Sequence, residues 1–132
     1  MGLFGAMNIA GSGLVLHRKW MDAVSDNIAN INTVRPTSGN AFQARYVVAQ
    51  ADGYGKPEGV QVAGVEFGSA EGRMVYQPGH PLADADGYVK LPDIDMSDQM
   101  TQLIMAQRGY QANLAVVERA QAAYQQAIGL GR

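Results

Sequence analysis

The chain has 132 residues, enough for one domain or for one long hairpin with an insert. Its formal net charge of −2 leaves no electrostatic case for nucleic acid or an acidic membrane surface. It has no cysteine, which excludes disulfides, thiolate zinc sites and thiol catalysis without naming a compartment.

The N-terminus, Met1-Gly2-Leu3-Phe4-Gly5-Ala6-Met7, lacks the basic start and long apolar core of a secretory signal. Export, if it occurs, is expected to use a route that removes no signal. Met1-Gly2 is a faint myristoylation start, weakened by Ala6 where Ser or Thr is needed. No apolar run approaches the roughly 18 residues of a spanning helix.

A first helix is expected from near Gly5 to near Ile31. Gly11, Ser12 and Gly13 are poor helix formers, each glycine costing about 1 kcal/mol against Ala, so the helix should be soft at its start. It should stop in Asn30-Ile31-Asn32-Thr33, where Asn tolerates a left-handed closing residue and Pro36 forbids continuation. From Thr33 to Asp95 the chain carries all five prolines and frequent glycines. Four short runs there read as strands joined by turns: Phe42–Ala49, Val60–Phe67, Arg73–Tyr76 and Tyr88–Leu91. Asp52-Gly53 and Asp86-Gly87 are turn signals. The apolar content of this middle is thin, so its stability should depend on neighbours. A second helix begins at Met96, with Asp95 as N-cap and Asp98 favouring the helix dipole in the first turn. Only Gly109 interrupts it before Ile128, and Gly129, Gly131 and Arg132 end it. At about 1.5 Å per residue it is roughly 50 Å long, which suits a bundle or fibre better than a small compact domain.

Apolar residues recur at steps of three and four in both helices. The first row is Met7, Ala10, Leu14, Met21, Val24, Ile28 and Ile31, broken only by His17. The second is Met96, Met100, Leu103, Tyr110, Leu114, Val117, Tyr124 and Ile128, interrupted by Gln107 and Gln121. This is the spacing of a coiled-coil seam. The expected fold is mainly α with a small β-rich middle (α+β). Residues 1–32 and 96–132 would form an antiparallel terminal-helix coiled-coil core, and 33–95 a Gly/Pro-rich segment of short strands and hairpins. His17 at a seam position reads as a tolerated polar residue or an inter-subunit contact. Gln107 and Gln121 either fix register or face solvent. The methionines fill imperfect interfaces well.

Two runs carry a resemblance. The first is Ser25-Asp26-Asn27-Ile28-Ala29-Asn30-Ile31-Asn32-Thr33. The second is Val75-Tyr76-Gln77-Pro78-Gly79-His80-Pro81-Leu82-Ala83-Asp84-Ala85-Asp86-Gly87-Tyr88-Val89, continuing to Asp95. Together with Ala106-Gln107-Arg108-Gly109-Tyr110-Gln111-Ala112-Asn113, they resemble the bacterial flagellar rod and hook family, most closely its proximal rod members. The motif positions are Asn27, Ala29, Asn30, Thr33, His80, Pro81, Asp84, Gly87, Tyr88 and Val89. Thr33 is not followed by the Thr-Gly-Phe continuation typical of distal rod and hook subunits, which favours the proximal type.

The resemblance implies a structural subunit of the basal-body rod and no enzyme. Such subunits self-assemble with other proximal and distal rod proteins into a helical, hollow, torque-transmitting shaft. The implied partners are copies of the chain, those rod proteins, the base linking rod to membrane ring, and the flagellar type III export apparatus. The implied location is the periplasm and cell wall. No cofactor, metal, nucleic acid or small-molecule substrate is expected. Burial of the stripes would drive assembly, so the isolated protein's helical ends should be poorly ordered. The competing readings are a small metal-dependent hydrolase centred on His80 with Asp84, Asp86, Asp93 and Asp95, and a helical adapter. The carboxylate spacing fits neither a zinc pair nor a calcium loop, and turn chemistry explains those residues better.

Overall fold

A computed structural model of the chain describes residues 2–53, 55–56 and 58–131. Met1 of the N-terminal Met-Gly start, and Arg132 at the expected end of the second helix, lie outside the described residues. The elements run α1 (Leu3–Ala29), β1 (Arg45–Asp52), β2 (Gly59–Phe67), β3 (Arg73–Tyr76), β4 (Tyr88–Leu91) and α2 (Met96–Leu130). The fold is mixed α and β and mainly helical. No helix is long and apolar enough to cross a membrane.

β3 and β4 stand where alternation put them, and the other boundaries shift for identifiable reasons. α1 stops at Ala29 because Asn30 turns the chain: its amide donates back to the Asp26 carbonyl, and Ile31 N–H bonds Ile28 one residue short of the α pattern. Among the described residues only glycines have positive φ, so no left-handed Asn closes α1 as expected. Neither Gly11, Gly13 nor Gly109 interrupts its helix. β1 starts three residues later than Phe42, because Arg45 is the first residue of that run pinned by a side chain from α1, described below. It also runs on through Asp52, whose carbonyl accepts from Glu58 N–H across the hairpin turn.

The chain divides into two compact units. The first takes the chain up to Met21, Val47–Gly64, and the chain from Ile104 onward. In it α1 and α2 pack antiparallel: as α1 advances from Phe4 to Gly13 to His17, the facing residues on α2 recede from Tyr124 to Asn113 to Gly109. Ser12 ties the hairpin to α1, its hydroxyl donating to Ile9 O and accepting from Val60 N–H at 3.0 Å.

The second unit comprises Asp22–Tyr46 and Val65–Leu103. β3 and β4 pair antiparallel from Arg73 opposite Leu91 to Tyr76 opposite Tyr88. Arg35 extends this ladder by exchanging two backbone bonds with Lys90. Farther along, Ala41 N–H reaches Ala70 O, and Gly68 N–H reaches Ala44 O. Gly72 has φ 61°, and a side chain there would strike both Ala41 and the Leu91 carbonyl. The core is small: Ala23, Val24, Ala41, Ala44, Val89, Leu91, Pro92 and Ile94, with Asn27 and Gln99 buried among the same elements.

Candidate assembly surface

The inner face of each helix is lined by small and polar residues. Beside half-buried Gln102, Gly109 and Ala115, the innermost line on α2 is Gln99, Leu103, Ala106, Tyr110, Asn113, Val117 and Ala120, each buried or half-buried. They alternate in steps of four and three. On α1 the corresponding line is Ala10, Gly13, His17, Trp20, Val24 and Asn27. Within the first unit, Ala10, Gly13, Ala106 and Ala120 are buried, and their small size lets the backbones come close.

The seam residues expected from periodicity distribute as follows. Val24 is buried. Met7, Leu14, His17, Met21, Ile28 and Ile31 on α1 and just beyond it are half-buried, as are Leu103, Tyr110 and Val117 on α2. Met100, Gln107, Leu114, Gln121, Tyr124 and Ile128 are exposed. Every second position of the expected seam therefore lies one residue outside the innermost line: Leu14 beside Gly13, Ile28 beside Asn27, Leu114 beside Asn113. Counting only apolar anchors missed Gly13, Gln99, Ala106, Gly109, Asn113 and Ala120. For Gly13, Gly109 and Asn113 the signal was the matched spacing Gly13-x-x-x-His17 and Gly109-x-x-x-Asn113.

Outside this line α2 carries a long apolar row. Met100, Leu114 and Ile128 fall at multiples of seven, with Gln107 and Gln121 between them. Leu114 is 37% and Ile128 46% exposed. Ile104, Met105 and Val116 widen the row, and Leu130 at its end is 88% exposed. Each such side chain is worth about 1.5–3 kcal/mol when fully removed from water. In the first unit Phe4 meets Tyr124 edge-on, with centroids 5.4 Å apart, yet Phe4 stays 61% and Tyr124 44% exposed.

Motif positions in the second unit form two hydrogen-bonded devices. Asn27 is fully buried. Its amide nitrogen donates to Arg45 O and to Gln99 Oε1, both at 3.0 Å, and its oxygen accepts from Arg45 N–H at 2.8 Å. One side chain thus imitates a strand neighbour for the first residue of β1 while holding α2. Beside it, Asp26 and Arg45 form an exposed ion pair at 2.8 Å. Asn30 bonds Thr33, closing the turn after α1, and Ala29 faces solvent.

The second device is the 77–87 connection between β3 and β4. Three successive turns are closed by His80 N–H to Gln77 O, Ala83 N–H to His80 O, and Gly87 N–H to Asp84 O. Asp84 Oδ1 accepts from the N–H groups of Asp86 and Tyr88, and its Oδ2 accepts from the Thr37 hydroxyl. The Tyr88 N–H bond is the foremost cause holding the Asp84 carboxyl below its ordinary value of 3.8; partial burial opposes it, while Thr37, Asp86 and Gly87 assist. Gly87 is buried with φ 84°, and a side chain there would meet the Tyr76 ring and Pro78. Tyr76 and Tyr88 pack edge-on at 5.3 Å, Val89 is fully buried, and Pro81 is exposed. His80 Nδ1 accepts from Leu82 N–H, so this imidazole serves its own turn. Among the described residues, no group of three or more His, Asp and Glu is placed to hold a metal ion.

Residues 7–37 match the family described as flagella basal body rod protein, and residues 85–130 match the C-terminal family of flagellar basal body rod FlgEFG proteins. The chain is 37% identical to the flagellar basal-body rod protein FlgC of Salmonella typhimurium, over all of both chains. The chain belongs to the FlgC family of flagellar basal-body rod proteins. Two further members of that name, from Borreliella burgdorferi and Bacillus subtilis, are 29% and 28% identical, over 98% and 100% of each chain respectively. The two matched rod segments contain α1 from Met7 onward with its Asn-rich end, and β4 with all of α2. Asn27 and its partner Gln99, the Gly87–Val89 end of the 77–87 connection and the outer row of α2 therefore all lie in rod-family sequence, while Arg45 falls between the two matched segments.

Proposed function

We propose that this chain is a structural subunit of the bacterial flagellar basal-body rod, of the proximal type, with no catalytic role. The observation that carries this reading is the outer row of α2: Met100, Leu114 and Ile128 recur on one face every fourteen residues, and each keeps more than a third of its surface exposed. A row of that length calls for neighbouring helices. Residues 1–32 and 96–132 would then form a coiled-coil core packed among copies of itself and other proximal and distal rod proteins. Residues 33–95 would present the β3–β4 connection to outer neighbours. A head-to-tail contact that does not close gives a helical shaft, hollow and able to transmit torque. The subunit would enter the periplasm through the flagellar type III export apparatus with its N-terminus uncleaved, and abut the base linking rod to membrane ring. Family membership supports this reading over a hydrolase centred on His80 and over a one-partner adapter.

The test uses Leu114→Asp and Ile128→Asp in a flagellated bacterium lacking its own copy. Both sites are exposed, so the purified variants should keep parental helicity and melting. The cells should be non-motile and their basal bodies should lack complete rods. Normal motility and normal rods with both variants would refute the proposal.

A further inference from the structure

Within the first unit, two glycines and two polar side chains are arranged reciprocally across the α1–α2 contact. His17 lies over Gly109, so closely that a Cβ on that glycine would overlap the imidazole. Asn113 lies over Gly13 in the same way. Each polar side chain also bonds the carbonyl of the glycine four residues earlier on its own helix. His17 Nδ1 stands 2.7 Å from Gly13 O, and Asn113 Nδ2 donates to Gly109 O at 2.8 Å. Each helix therefore contributes one hole and one knob, and each knob is anchored at the rim of its own helix's hole.

We infer that this double clasp is a register lock, selecting one alignment of α1 on α2 among several that the apolar pattern would accept. The inference stands independently of the proposed function. The inner line of α2 repeats in size and burial every seven positions, as Leu103, Tyr110 and Val117 and as Ala106, Asn113 and Ala120, so burial alone discriminates weakly against a slip of one heptad. The clasp discriminates strongly. A slip of seven residues would bring His17 against Val116 in one direction or Gln102 in the other, and neither offers a hole. In the first case Asn113 would also meet Trp20. Glycine is a poor helix former, so two of them inside long helices need a packing reason, and the facing side chains supply it.

The chain contains no cysteine, so introduced thiols are the only ones present. Full-length protein carrying Phe4→Cys with Tyr124→Cys reports the observed register. Phe4→Cys with Val117→Cys reports a slip of seven. A short bis-thiol cross-linker traps either alignment even where helix ends open and close. We expect the first pair to cross-link about tenfold better than the second. Gly109→Ala should reduce that preference to about threefold or less and lower the melting temperature by about 5 °C, although Ala is the better helix former. Adding His17→Ala to Gly109→Ala should restore both, because the knob is gone where the hole has been filled. Gly109→Ala melting at or above the parent, with the register preference intact, would overturn the lock. If Gly109→Ala does not fold, the double variant decides: recovery supports the lock, and failure to recover while His17→Ala alone folds overturns it.

Discussion

Asn27 and Asp84 show how much a single polar side chain can organise. Asn27 is buried without penalty because all three of its hydrogen bonds are made, two of them to the backbone of one residue. Replacing it with Ala takes the partner from the part-buried Arg45 N–H and C=O and from the buried Gln99 carbonyl. The expected cost is about 2–4 kcal/mol, at about 1–3 kcal/mol for each unsatisfied group with partial relief by water, measurable as a lower urea midpoint at unchanged slope. Asp84 acts through charge. Its carboxyl titrates below the ordinary 3.8, so the folded connection holds the ionised form more firmly than the unfolded chain does. That stabilisation is complete above the ordinary value. It is lost progressively as pH falls through 3.8 and is gone below the folded value. The amides of Asp86 and Tyr88 should therefore lose exchange protection on acidification in that window. In Asp84→Asn the same amides should be weakly protected at neutral pH and show no such transition; a matching transition in the variant would assign the effect elsewhere.

At the level of elements, Asp95 caps α2 as its sequence context predicts, its carboxylate accepting from Asp98 N–H at 2.8 Å. Asp95→Ala should cost about 1 kcal/mol, read as a drop in melting temperature, and Asp95→Asn or Ser should recover most of it. Such punctuation was legible because capping is local: one side chain and the three residues after it decide it. The β3–β4 pair was legible for the same reason, since alternation and the Asp86-Gly87 turn define it within 19 residues. The innermost helix line was not. A stripe of Leu, Met and Ile marks a wide apolar arc, whereas the closest approach of two backbones selects the smallest residues within that arc. Gly13 and Gly109, read from propensity alone as weak points, are the places where the helices can touch. β1 was displaced toward the C-terminus because its first hydrogen-bonding partner is a side chain 18 residues upstream, which strand periodicity does not encode.

For the molecule as a whole, the imbalance between buried and exposed apolar surface is the main physical fact. The buried cores are built largely of Ala, Val and Leu, while Phe4, Tyr124, Ile128 and Leu130 remain open at the helix ends. Amide exchange on the isolated protein should therefore find low protection in the first and last turns of the helical pair and higher protection at Val24, Asn27, Val89 and Gln99. Mixing with other rod proteins should raise protection at the ends and yield growing polymers by size exclusion. Strong protection at both ends in dilute monomer would remove the case for ordering on assembly.

The architecture of the 77–87 connection has an evolutionary corollary. Since backbone turns, the Asp84 carboxylate, the His80 imidazole and Gly87 hold this connection, the exposed side chains that make none of those bonds have no part in keeping its shape. The side chains of Leu82 and Ala85 can be exchanged, and a lineage can retune which neighbour it grips there without rebuilding the scaffold beneath.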